Sequence, residues 1–155
     1  MKHLLTAVLV CLAPALLLSG QQRPTLGPSE PSLGGTGGGT TIHRQMLLRV
    51  RKIYIERIDN KLSDKIVEDL AGSSMLRVVD KPGDADGILR GTCFRSLRLK
   101  RLHSEVFLSD SVSGKAIWQD IVLVPWNPPA LNKSVDRSAA EIVTHLFQSI
   151  RQAEH

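Results

Sequence analysis

The stretch Asp80-Lys-Pro-Gly-Asp-Ala-Asp-Gly-Ile-Leu-Arg-Gly-Thr92 joins a cluster of turn-forming residues to the start of an apolar strand. Its proline, glycines and aspartates favour turns and positive φ angles up to Gly87. Residues 75–79 before this stretch, and residues 97–108 and 115–124 after it, are rich in apolar residues with partial period-two alternation. The sequence therefore predicts that the strand after Gly87 lies near the centre of a sheet.

Further strands and two helices are predicted around this stretch. A strand at 50–58 precedes a helix in which Leu62, Ile66, Val67 and Leu70 share one face. The turn residues of 110–115 predict a hairpin. A second helix carries apolar residues at three-and-four spacing from Val135 to Ile150, with His145 outside the stripe. The predicted order is β-α-β-β-β-α, or β-α-β-β-β-β-α if the middle strands are separate.

The apolar stripes of the two helices determine the predicted fold class. Two helices packed on one face of a mostly antiparallel sheet of four or five strands would bury both stripes. The fold class predicted from the sequence is therefore α+β.

The amino-terminal part of the chain differs in composition from the rest. Residues 1–20 comprise Lys2, an apolar run and a final Ser-Gly, which is typical of a secretory signal peptide. The run is shorter than the roughly 20 apolar residues that span a membrane. Residues 21–43 are rich in Gly, Pro, Ser and Thr and predict a disordered linker. Residues 44–155 are then predicted to form a single domain.

Positive charge is the main surface feature of the sequence. The formal net charge is +5, and basic residues gather on the predicted sheet. Such a surface can meet anionic lipid or lipopolysaccharide head groups, although a solvated sheet face without a ligand stays an alternative. Prolines near Trp126 predict a stiff loop that either shows the indole to a partner or folds it back. The candidate binding residues are Arg95, Arg98, Lys100, Arg101 and Trp126.

Patterns for catalysis, metal binding and nucleic-acid binding are weak. His103 and Asp110 could join a serine in a triad, but no nucleophile-elbow motif accompanies them. After loss of residues 1–20, Cys93 is the one remaining cysteine, and the histidines have no zinc-ligand spacing. Few aromatic residues lie among the cations, which argues against nucleic acid. The sequence predicts no catalytic residue, metal or cofactor.

Three short sequence segments accompany the predicted element order: Arg77-Val-Val-Asp80, Ala85-Asp-Gly-Ile-Leu-Arg-Gly-Thr92 and Leu108-Ser-Asp-Ser-Val-Ser-Gly-Lys-Ala-Ile-Trp118. Together they resemble small bacterial envelope domains over about residues 50–152. The lipopolysaccharide-assembly outer-membrane lipoprotein, the curli-secretion lipoprotein and the amino-terminal domain of the Tol translocation protein are the similar proteins. The resemblance implies a role in the cell envelope.

These observations lead to an expected function. We expect an exported, non-enzymatic protein of the periplasm or the outer-membrane periphery that assists transport or assembly at the outer membrane. Its partner would be an envelope protein or an anionic envelope lipid, and its membrane association would be peripheral or tethered at most. The alternative is a small periplasmic hydrolase, which would need a pocket with convergent polar groups.

The sequence around the predicted cleavage site yields a test. Leu17-Leu-Ser-Gly20 is followed by Gln21, where a bacterial lipoprotein would have a cysteine. We therefore expect the exported protein to begin near Gln21 and to carry no lipid, which mass spectrometry can check. Retention of residues 1–20, or an acyl group on Cys11, would contradict this expectation.

Overall fold

The computed structural model describes residues 38–126 and 128–155. The predicted signal peptide, and the predicted linker up to residue 37, lie outside these residues. The described residues all belong to one compact unit, Gly35–His155.

Six strands and three α-helices make up the described chain. The strands are β1 (Thr40–Thr41), β2 (Lys52–Ile55), β3 (Arg77–Val78), β4 (Gly87–Ser96), β5 (Arg101–Asp110) and β6 (Ala116–Pro125). The helices are α1 (Arg44–Leu47), α2 (Leu62–Leu70) and α3 (Leu131–Glu154), with short 3-10 turns at Asp59–Lys61, Pro82–Asp84 and Pro128–Ala130. The predicted α+β class is confirmed. Within this part of the chain, no helix has both the length and the apolar character needed to cross a membrane.

The strands form one mixed sheet in the order β1-β6-β5-β4-β2-β3. Strands β4, β5 and β6 are antiparallel neighbours of ten residues each, and β4 begins at Gly87 as predicted. Strand β2 runs parallel to both β4 and β3, while β1 pairs antiparallel with β6. The longer of the two predicted element orders matches the chain from β2 to α3.

The predicted number of strands and their mostly antiparallel arrangement were wrong in detail, since the sheet has six strands and mixes both directions. Strand β1 lies in a range predicted as linker, and two residues are too few to show period-two alternation. The parallel pairs arise because α2 carries the chain back past β2, so that β3 starts at the same end of the sheet.

The three helices lie on one face of the sheet. Helix α3 contacts α1, α2, β5 and β6. Alternate residues of the long strands are buried beneath the helices, and they meet in cross-strand register, as at Leu102 and Val124. In α2, Leu62, Ile66 and Leu70 are buried, whereas Val67, which was predicted on the same face, is exposed. The opposite sheet face has no described helix against it.

A contact at the sheet edge orders the segment before α1. Gly39 packs on the indole ring of Trp118, in space that a Cβ atom would fill. The Trp118 Nε1–H group donates to Ser149 Oγ at 2.9 Å, and this hydroxyl donates to the Gly39 carbonyl oxygen at 3.4 Å. Helix α3 therefore holds the chain entering β1 against β6.

The stripe of α3 provides a stability test. Leu146 is fully buried in the core, whereas Gln148, two residues further along the same helix, is exposed. We expect Leu146→Ala to lower the free energy of unfolding by roughly 2 to 5 kcal/mol, as other buried leucine truncations do. Urea unfolding of this variant and of Gln148→Ala measures the difference. Equal losses in the two variants would show that the core-facing side of α3 lies elsewhere.

Candidate functional site

The turn between β4 and β5 gathers the predicted basic residues at one end of the sheet. Strand β4 ends at Ser96, residues 97–100 form the turn, and β5 starts at Arg101. The Leu99 N–H group donates to Ser96 Oγ at 3.3 Å, and Lys100 adopts a left-handed φ of 48°. The strand predicted to begin at residue 97 therefore begins only after this turn. We call residues 95–101 the basic tip.

The four cations of the basic tip are concentrated and form no salt bridge among the described residues. Arg95, Arg98, Lys100 and Arg101 are all exposed. Residues 87–104 hold five cations and no carboxylate. Among residues 38–126 and 128–155, the salt bridges lie elsewhere and involve none of these four side chains. The basic tip therefore presents positive charge to solvent.

Trp126 supports the basic tip from inside the fold. Its side chain is only 7% exposed and belongs to the core. Its backbone N–H group donates to the Lys100 carbonyl oxygen at 2.9 Å, and the Arg95 guanidinium lies 5.7 Å from the indole centroid, within cation–π range. Of the two predicted positions for this indole, the structure has the folded-back one. Trp126 thus positions the hairpin and offers little surface to a partner.

Two leucines in the turn were not predicted as surface features. Leu97 is 75% exposed and Leu99 is 66% exposed. The turn contains no Gly, Pro, Asn or Asp, so its residue types gave no signal that the strand is interrupted there. The tip therefore combines apolar and cationic side chains.

Apolar surface continues from the basic tip onto the open sheet face. Phe94 stacks on His103 with ring centroids 4.6 Å apart, and His103 pairs in register with Leu123. Phe94 and Leu123 are each about half exposed. This cross-strand row lies next to the end of β4.

The predicted catalytic fragments do not assemble. His103 and Asp110 lie seven residues apart on β5, which separates them by roughly 24 Å. Asp110 instead accepts hydrogen bonds from the N–H and hydroxyl groups of Ser113, and these bonds lower its pKa. The part of the chain that the structure describes contains no group of three or more metal-ligating side chains suited to an ion.

A shallow depression at the other end of the sheet is lined by carboxylates that already serve the fold. Asp86 Oδ2 accepts the N–H groups of Arg51 and Lys52 at 2.9 and 2.8 Å, while Asp110 holds the hairpin turn. The lining residues are Met46, Arg49, Val50, Ala85, Asp86, Asp110, Ser111 and Val112. Neither carboxylate is left free for general acid or base work.

A polar pair connects α3 to the sheet. Asp120 is buried on β6, and its Oδ2 atom lies 2.8 Å from His145 Nδ1. Burial raises the pKa of Asp120, while the hydrogen bond and charge of His145 act in the opposite direction without cancelling the rise. The charge of Glu141 adds to the rise. His145, which falls outside the predicted apolar stripe, thus contacts the core through its polar ring.

Comparisons with known proteins find only remote similarities. No protein-family model matches the chain, and no significantly similar curated protein was found. The PelC dodecamer from Paraburkholderia phytofirmans is 14% identical, with 72% of this chain and 98% of that chain covered, at a TM-score of 0.47. Uncharacterized lipoprotein B from Nitrosomonas europaea is 15% identical, with 68% and 89% covered, at 0.40. A lipoprotein from Neisseria meningitidis is 13% identical, with 61% and 99% covered, at 0.33.

Likenesses at these identities and TM-scores carry no conclusion about what this chain binds. The resemblance to the lipopolysaccharide-assembly, curli-secretion and Tol proteins stays a prediction from the sequence.

The buried Asp120 carboxyl leads to a test of pH dependence. Because its pKa is raised in the folded protein, its contribution to stability is present below the ordinary aspartate pKa and is lost as pH rises through the raised value. Asp120→Asn removes this titration. We therefore expect the unfolding free energy of wild type, minus that of the variant, to fall as pH rises from the ordinary aspartate pKa through the raised pKa. Urea titrations at a series of pH values measure this difference. A rise would show that His145 stabilises the ionised carboxylate more than burial destabilises it.

Proposed function

We propose that this chain is an exported, non-enzymatic envelope protein that assists transport or assembly at the outer membrane, and that its basic tip binds anionic envelope lipid. The observation that carries the proposal is the concentration of Arg95, Arg98, Lys100 and Arg101 around one turn, without a carboxylate in residues 87–104. The signal-peptide pattern of residues 1–20 supports an exported location.

The electrostatics of the basic tip favour a multivalent anionic surface. A cation near such a surface contributes about 1 kcal/mol, so four neighbouring cations acting together give useful affinity where one would not. Since the cations are exposed, salt screens the attraction over a Debye length of about 8 to 10 Å at ordinary ionic strength. The proposed binding is therefore reversible and sensitive to salt.

The rival proposal of a small hydrolase finds little support in the described residues. His145 and Asp120 are the residue types of the His–Asp part of a Ser-His-Asp triad. Asp120, however, lies beneath α3, and its Oδ1 atom has no hydrogen-bond partner in the described chain. The nearby hydroxyls of Ser138 and Ser149 are buried and bond to Ser104 and Trp118. These groups connect the helix to the sheet, and none of them lines the depression.

Vesicle binding tests the proposal with two variants of equal net charge. Arg98→Ser combined with Lys100→Asn removes two cations of the basic tip, and asparagine tolerates the left-handed conformation at position 100. At about 1 kcal/mol each, this change should weaken binding to vesicles of phosphatidylglycerol and phosphatidylcholine roughly 25-fold at low salt. Lys81→Ser combined with Lys115→Ser removes two exposed cations at the opposite end of the sheet and should change binding much less. Co-sedimentation measures both.

Two results would overturn the lipid assignment. One is a wild-type protein that sediments equally with anionic and with purely phosphatidylcholine vesicles. The other is an equal loss in the two double variants, which would mean that net charge, rather than the basic tip, drives association. An envelope protein with an acidic surface would then be the partner to test.

A further inference from the structure

The exposed leucines of the basic tip are not explained by charge attraction alone. Single exposed apolar residues are ordinary on protein surfaces. Leu97 and Leu99, however, flank Arg98 within one four-residue turn, where the end of a hairpin can reach beyond the rest of the domain. Their side chains add apolar area at the point where the positive charge is concentrated.

We infer that Leu97 and Leu99 insert into the boundary between head groups and acyl chains of a bilayer that contains anionic phospholipid. This inference rests on the proposed function and gives the lipid contact its form. Interfacial segments of proteins combine apolar side chains, which enter this boundary, with lysines and arginines, which keep their charge at head-group level. Arg95, Arg98, Lys100 and Arg101 surround the two leucines in this manner.

The surroundings of the turn favour a bilayer over a soluble anion. Inorganic phosphate would engage the cations but would leave both leucines in water. The cross-strand row of Phe94, His103 and Leu123 extends the apolar surface from the tip along the open sheet face. If the domain tilts so that this sheet face approaches the bilayer, the cross-strand row would be partly buried as well.

The hairpin between β5 and β6 provides an internal comparison. Val112 at its turn is 94% exposed, yet its hairpin carries Asp110 as well as Lys115. The two turns stand at opposite ends of β5, roughly 30 Å apart. Val112 is thus an exposed apolar residue without excess positive charge, and a bilayer bound to the basic tip would not reach it.

Tryptophan fluorescence tests insertion directly. We expect Leu97→Trp, bound to vesicles of phosphatidylglycerol and phosphatidylcholine, to show an added emission that shifts to the blue and is quenched by brominated acyl chains. Val112→Trp under the same conditions should show neither change. Trp118 and Trp126 are common to both variants, so difference spectra against wild type isolate the introduced indole.

A second variant measures the apolar contribution without changing charge. Leu97→Ser combined with Leu99→Ser keeps all four cations. Each of the two substitutions should weaken vesicle binding roughly tenfold. This factor corresponds to the lower end of the free energy gained when a leucine side chain is buried. Circular dichroism verifies the fold, which should persist because both side chains lie outside the core.

The outcomes separate the inference from the proposed function. Salt-sensitive binding of wild type to anionic vesicles, without quenching at position 97 and without loss in the double serine variant, would overturn insertion while the lipid-binding function stands. Failure of wild type to prefer anionic vesicles would overturn both and would direct attention to a protein partner. Quenching at position 97 and not at position 112, together with weaker binding of the serine variant, is the result that insertion requires.

Discussion

The packing of α3 across β5 and β6 is the contact on which the rest of the structure depends. The apolar stripe of this helix, from Val135 to Ile150, is buried along the sheet. The same helix contacts α1 and α2, so that one interface orders all three helices on one side. As a consequence, no helix of residues 38–126 and 128–155 covers the other sheet face or the hairpin ends.

Polar contacts fix the position of α3 on the sheet. Ser138 Oγ donates to Ser104 Oγ at 2.7 Å, Trp118 Nε1 donates to Ser149 Oγ, and His145 pairs with Asp120. Buried polar groups are costly unless they are paired, so these bonds favour one register of helix on sheet. Oδ1 of Asp120 has no partner in the described chain, which agrees with the raised pKa of that carboxyl.

The proposed membrane contact depends on how this core holds the hairpin. Trp126, at the carboxyl end of β6, links core and tip through its hydrogen bond to the Lys100 carbonyl oxygen and its ring beneath Arg95. Because the base of the turn is held, Leu97, Leu99 and the cations can be presented together at one end of the domain. At the opposite end, the Asp86 carboxylate accepts backbone N–H groups at the start of β2, and the Asp110 carboxylate holds the turn between β5 and β6. Charge and apolar surface are therefore distributed unequally along the sheet.

The sequence by itself determined the α+β class, the strand after Gly87, the hairpin at 110–115 and the stripe of α3, because each rests on local periodicity or turn chemistry. It also determined which residues are basic. The tertiary structure alone decided the mixed sheet, the burial of Trp126 and the exposure of Leu97 and Leu99. Strand β1 is too short to give a periodic signal, and it forms because the ten-residue strand β6 lies beside it. Whether a leucine or an indole is buried depends on what packs over it, which no local pattern contains.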